Sequence, residues 1–152
     1  MGSWTETGEA VEACVFCDII AGRSPVSVVY RDEYCIAVMD ICPINAGHPL
    51  VIPVNHATHL ADLEPRVGGA LFGAAQKLAA AIRGSGLKAE GINLLLADGE
   101  AAGQEVFHVH LHVLPRFRGD GFGYRFPPQY GQRPPREQLE ADAVAIRTSL
   151  AV

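Results

Sequence analysis

Apolar residues along this chain fall into short runs separated by clusters of Pro, Gly, Asn and Asp, a pattern of short strands with one long helix. Phe16, Ile19 and Ile20 recur at helical spacing, and Gly22 stands where a short helix would end. Val26 to Tyr30 is β-branched and aromatic and predicts a first strand, with Asp32-Glu33 as a turn. Tyr34 to Ile41 predicts a second strand and Pro49 to Val54 a third, joined by the Pro43–His48 loop. Val67, Ala70, Leu71, Ala74, Leu78, Ala81 and Ile82 repeat at i, i+3 and i+4, so Pro65 to Arg83 is the strongest helix. Pro65 suits its first turn and Gly84-Ser85-Gly86 its end. Gly68, Gly69 and Gly73 lower its propensity and point to close packing on a neighbour, a second subunit included. Ile92 to Ala97 predicts a fourth strand, Asp98 to Gln104 a Gly-rich loop, and Val106 to Leu114 a fifth strand ended by Pro115. Glu137 to Leu150 predicts a closing helix. The β-β-β-α-β-β order predicts an α+β domain with a mainly antiparallel sheet. Its expected limits are residues 13–120, after a flexible polar tail at 1–12 and before a Gly/Pro-rich extension at 121–152.

Composition narrows the class. With 152 residues, 49% of them hydrophobic and 19% charged, the chain can build a core of its own and is not a disordered protein. A net charge of −5 leaves no basic surplus for a nucleic acid polymer. No apolar run approaches the ~18 residues of a membrane span, and the acidic start, Met1 to Ala13, is not a secretory signal. The expectation is a cytoplasmic protein without membrane partners. Of its four cysteines, Cys35 and Cys42 sit among apolar residues and read as small core side chains, while Cys14 and Cys17 form a C-x-x-C pair.

The informative segment is Phe107-His108-Val109-His110-Leu111-His112-Val113-Leu114. In a strand, side chains switch faces at each residue, so Val109, Leu111 and Val113 share one face and His108, His110 and His112 the other. A plain solvent-facing edge would carry Lys, Glu or Thr instead. A single metal held by all three rings is strained, because a flat strand sets the outer pair ~13 Å apart at Cα. The favoured reading is catalysis, in which the middle imidazole acts as a nucleophile and its neighbours orient it. A neutral nitrogen nucleophile suits a phosphorus centre, and the loop Gly99 to Gln104 offers backbone N–H groups to phosphate oxygens.

The run Gly103-Gln104-Glu105-Val106-Phe107-His108-Val109-His110-Leu111-His112-Val113-Leu114-Pro115-Arg116 resembles the signature of the histidine triad (HIT) family, His-φ-His-φ-His-φ-φ with φ apolar. The likeness extends to Phe16-Cys17-Asp18-Ile19-Ile20, to Asp40-Ile41 and to Gly47-His48-Pro49-Leu50-Val51-Ile52-Pro53 with His56, covering about residues 14–120. It implies a HIT-like fold, a homodimer, and a nucleotide hydrolase or transferase acting at the α-phosphate of a phosphoramidate or dinucleoside polyphosphate. By the same resemblance His110 is the nucleophile, His112, His108 and His48 support the phosphate site, Gln104 contacts the phosphate or the leaving-group side, and Gly103 belongs to the nucleotide site. Asp40 is implied to bind ribose hydroxyls, and Phe16, Ile19 and Ile41 to line the base pocket. Two positions depart from many relatives: Ala97 stands where they carry Asn, and Glu105 where they carry Ser or Thr.

The C-x-x-C spacing lets two thiolates close on one ion, with His56, His59 and His108 as candidate partners. Two packed thiols or a redox pair are the alternatives. Some bacterial HIT proteins hold structural zinc with such a pair, and the resemblance implies Cys14, Cys17, His56 and His108 as its ligands here. A nucleotide-binding regulatory module with little turnover is the competing function, and a protein–protein adaptor a third.

Overall fold

The computed structural model describes residues 13–150; the expected tail at residues 1–12 lies outside the described residues. The chain divides after Gly121 into two compact units. The first carries strands β1 (Val28–Arg31), β2 (Cys35–Met39), β3 (Pro49–Pro53), β4 (Gly91–Leu95) and β5 (Leu111–Arg116). They form one sheet in the order β1-β2-β3-β5-β4, with each neighbouring pair antiparallel. A short helix, α1 (Val15–Ile20), and a long one, α2 (Pro65–Gly84), complete the unit.

Alternation along the strands gives the sheet two apolar faces. Cys35, Ala37, Val51, Leu111 and Val113 lie on the α2 side, packed with Leu71, Ala74, Ala75, Leu78 and Ile82. Those α2 positions are spaced four or three residues apart, with Pro65 in the first turn as predicted. Ile36, Val38, Leu50 and Ile52 lie on the other side, against Phe16 of α1. The pairing makes this compulsory: Ala37 opposes Val51, while Ile36 opposes Ile52 and Val38 opposes Leu50. Each fully buried aliphatic side chain contributes roughly 1.5–3 kcal/mol, so a one-residue slip that exchanged the faces is heavily disfavoured.

Two expectations need correction. The fifth strand begins at Leu111, not Val106, and runs through Pro115. Upstream, the Val109 N–H donates to the Ala57 carbonyl and leaves the ladder. Pro115 is tolerated because β3 pairs with β5 only at Leu111 and His112, so Pro115 is paired on the β4 side alone. Cys35 is buried as expected, but Cys42 is exposed. It lies in the turn after β2, where the Asp40 carboxylate accepts the Cys42 N–H at 2.8 Å.

The second unit contains α3 (Arg136–Leu150), which buries none of its residues. Before it, Phe126 and Tyr130 stack with ring centroids 3.9 Å apart. No helix among the described residues is long and apolar enough to cross a membrane.

Candidate active site and metal centre

The sheet delivers four imidazoles to the α1 side. Asp40 follows β2 directly and His48 precedes β3 directly, and the Asp40 N–H donates to the His48 carbonyl at 3.0 Å. They therefore extend the β2–β3 ladder by one pair and share a face. Gly47, with φ of +81°, makes the sharp turn into His48, and the Leu87 side chain fills the space a Cβ would take. His112 opposes Leu50, two residues beyond His48 and on the same face. Asp40, His48 and His112 thus form a row across three strands.

The hydrogen-bond partners fix each ring's tautomer. The His110 Nδ1–H donates to the His108 carbonyl at 2.8 Å, which leaves a bare lone pair on His110 Nε2. The Ile44 N–H donates to His48 Nδ1 at 3.2 Å, so His48 carries its proton on Nε2 and donates it to His112 Nδ1 at 2.9 Å. His112 then holds its own proton on Nε2. Side by side, with ring centroids 5.0 Å apart, stand one imidazole offering a lone pair and one offering an N–H. The Phe16 ring of α1 meets His110 edge-on at 5.0 Å and holds it in place.

Burial favours the neutral form of His48 and His112. It lowers the His48 pKa, with the Asp40 charge opposing. Burial, then the neighbouring His110 and His48, pushes His112 down to about 4, again against Asp40. An unfolded chain takes up this proton near pH 6.5. Stability is therefore lost as pH falls from about 6.5 towards 4, and the contribution is flat above that window. At pH 5 the loss amounts to about 2 kcal/mol. Urea midpoints at pH 7.5, 6 and 5 check this: His112→Asn is expected to flatten the acid side relative to the parent, and parallel curves would refute it.

Gln104 is placed differently from its expected role. It is buried, its Oε1 accepts the Gly99 N–H, and its amide donates to the Thr58 and Val106 carbonyls. The side chain braces the Gly99–Gly103 loop, and a phosphate contact would have to break one of these bonds. Gly103 closes that loop in the left-handed region, φ +87°. Phe16 is buried and Ile19 packs partly against the same core, while Ile41 is 91% exposed beside Asp40.

A second cluster lies behind the first. Cys14 Sγ is 3.5 Å and Cys17 Sγ 3.6 Å from His108 Nδ1, and Cys17 Sγ is 3.4 Å from His56 Nδ1. A tetrahedral zinc site with ordinary Zn–S and Zn–N lengths has S···N edges of about 3.5 Å. The ring of His108, fully buried, donates Nε2–H to the Pro53 carbonyl at 2.9 Å, so its Nδ1 presents a lone pair to the two sulfurs. Burial and the adjoining Cys14 push the Cys17 thiol up to about 11, a cost that a divalent cation reverses. These four side chains fit a structural metal ion. Asp40, His48 and His112 also lie close together, but both nitrogens of His48 and the Nδ1 of His112 are occupied with one another and with the Ile44 N–H. His59 joins neither group: its ring bonds Asp98 at 3.2 Å. The ring of His108 belongs to the metal cluster, and its link to His110 is its carbonyl. Sequence reasoning missed the supports Ile44, Pro53 and Ala57, which act through main-chain atoms and carry no side-chain signal.

Residues 21–119 match the family model described as the HIT domain. The chain is 44% identical over 113 residues to Protein hit of Bacillus subtilis, covering 74% of this chain and 77% of that one. It is 40% identical over 110 residues to adenylylsulfatase HINT3 of Arabidopsis thaliana, covering 70% of this chain and 54% of that protein. A zinc-bound histidine triad family protein from Mycobacterium smegmatis superposes with a TM-score of 0.71 at 39% identity, over 90% of this chain and 97% of that one. Sheet order, histidine row and these likenesses agree: the chain belongs to the HIT family.

Proposed function

We propose that the protein is a hydrolase or transferase that cleaves a nucleoside 5′-phosphate derivative at the α-phosphate through a nucleotidyl-histidine intermediate. The observation that carries this reading is the bare Nε2 lone pair of the buried His110, locked by the His108 carbonyl at 2.8 Å and flanked by the Nε2–H of His112. His110 Nε2 attacks phosphorus, a P–N bond forms, and the bond to the leaving group breaks with its electron pair moving to the leaving atom, which takes a proton from solvent; the attacking water returns one to solvent in the second step. The His112 N–H donates to a phosphoryl oxygen as charge builds there. Water then attacks phosphorus, the P–N bond breaks towards His110, and a nucleoside monophosphate departs. Membership of a family that includes an adenylylsulfatase supports hydrolysis at this position.

The groups acting on His48 and His112 are other imidazoles and the Asp40 carboxylate, with no lysine or arginine among them. Neutral donors beside a carboxylate suit a substrate with one phosphoryl charge and an uncharged leaving group. An adenosine phosphoramidate is therefore expected to turn over faster than a diadenosine polyphosphate, by a factor of about ten or more. Acid-quenched reaction with labelled phosphoramidate is expected to leave label on His110. Steady turnover with no label on the protein would refute the covalent route, and tight monophosphate binding without turnover would favour the regulatory reading.

When bound, zinc would be held by Cys14, Cys17, His56 and His108 and would supply a structural crosslink between α1, His56 and His108. A homodimer completes the reading. The exposed positions of α2 include the uncharged Gly69, Phe72, Gln76 and Ala80 beside Arg66, Lys77 and Arg83, and Phe72, 54% exposed, is an apolar side chain that a second copy would cover.

A further inference from the structure

We propose that Asp40 is a positioning residue that holds the proton of His48 on Nε2, and so fixes which nitrogen of His112 faces the phosphate. The inference rests on the reading of His110 and His112 as the reacting pair, and it adds to the ribose contact implied for Asp40.

The geometry is one of opposed partners on a single buried ring. His48 is 1% exposed. On its Nδ1 side stands a donor, the Ile44 N–H. On its Nε2 side stand two acceptors, His112 Nδ1 at 2.9 Å and Asp40 Oδ2 at 3.8 Å. The Nε2–H tautomer makes both hydrogen bonds and turns its proton towards the carboxylate, which at 3.8 Å acts through its charge rather than as a hydrogen-bond partner. The Nδ1–H tautomer would set two protons against each other at Ile44 and two lone pairs against each other at His112, with a carboxylate facing the bare nitrogen. His112 would then have to reverse as well, and present a lone pair to an anionic phosphate.

Asp40 is itself aimed by the fold. Its main-chain N–H is tied to the His48 carbonyl, and its Oδ1 accepts the Cys42 N–H, which leaves Oδ2 turned to the ring. The other titratable groups acting on the pair are His48 and His110, both on His112; these oppose a charge there, as burial does on both rings, and Asp40 alone favours it. The carboxylate thus serves the histidines whether or not a ribose is bound.

Asp40→Asn tests this without disturbing the turn, since the Asn Oδ1 can still accept the Cys42 N–H. Long-range proton–nitrogen spectra of the ligand-free protein at pH 7 are expected to show His48 wholly as the Nε2–H tautomer in the parent and averaged between tautomers in the variant. With adenosine phosphoramidate and with its 2′,3′-dideoxy analogue, kcat is expected to fall about tenfold alike; KM stays within threefold of the parent for the dideoxy analogue and rises further only for the ribose-bearing substrate, through the lost ribose contact. An unchanged His48 tautomer overturns the proposal, as does a loss confined to the KM of the ribose-bearing substrate. If the parent turns over neither substrate, the enzymatic reading fails, while the spectra still decide what Asp40 does to His48.

Discussion

Replacing His110 by Asn is expected to lower kcat by at least about 10⁴-fold while KM stays within a few-fold of the parent. The asymmetry follows from where each atom of the ring works. Nδ1–H is a holding group, bonded to the His108 carbonyl, and the Asn amide can make a similar bond. Nε2 has no partner among the described residues and is the only part of the ring left to react. Asn keeps the first function and deletes the second. The lost edge contact with Phe16 costs about 1 kcal/mol, which the two packed cores tolerate. His112→Asn is expected to be milder, about 10²–10³-fold, because it removes a hydrogen-bond donor and not the bond-forming atom. The order of the two losses matters more than their size. If His112→Asn proved the more damaging, the lone pair and the donor would have to exchange places, and the tautomers read from Ile44 and the His108 carbonyl would be wrong.

Those tautomers mark the limit of what the sequence discloses. The alternation of Val109, Leu111 and Val113 with the histidines is local, and it correctly separates the side under α2 from the side bearing Phe16. The strand itself starts later than the alternation suggests, because Val109 finds its acceptor in Ala57, far away in sequence. Cys42 shows the opposite error. Its apolar neighbours suggest a core, but Ile41 beside it is 91% exposed, and the Asp40 carboxylate shapes a turn there that no hydropathy pattern reports. Gln104 is a third case: its partners include the Thr58 carbonyl, 46 residues away, so a side chain expected to face phosphate is spent as a brace. The C-x-x-C pair was legible as a metal motif because two ligands on one turn are a local matter. Spacing alone leaves His56 and His59 both open and only the family resemblance points to His56; the fold places His56 beside Cys17 and gives His59 to Asp98.

The reacting centre and the metal cluster meet in one residue. His108 gives its ring to the sulfurs and its carbonyl to His110. Its ring is anchored a second time by the Pro53 carbonyl at the end of β3. Two independent supports make the carbonyl a stiff reference point for the nucleophile.

Loss of the crosslink is consequently expected to weaken the protein strongly and its chemistry less so. Helix α1 has 6 residues, too few to be helical unaided. Its attachments are Phe16 in the core, Ile19 and Ile20 packed partly against it, and the two sulfurs at His108 and His56. Cys17→Ser removes the sulfur shared by both histidines. Bound zinc, assayed in protein purified without added metal, is expected to fall from about one ion per chain to below about a tenth. Because the sheet and α2 own a core that needs no metal, the variant is expected to fold, but with its stability reduced by about 3–5 kcal/mol, or about 10 °C in Tm. The activity loss is expected to stay near tenfold, since the Pro53 carbonyl still restrains the His108 ring and the His110 lone pair is untouched. Treating the parent with a strong chelator is expected to reproduce both effects, and returning zinc to restore them. A parent that carries no zinc and melts identically with and without chelator would show that the four side chains pack as a plain polar cluster, and that α1 is tethered by the apolar packing of Phe16, Ile19 and Ile20.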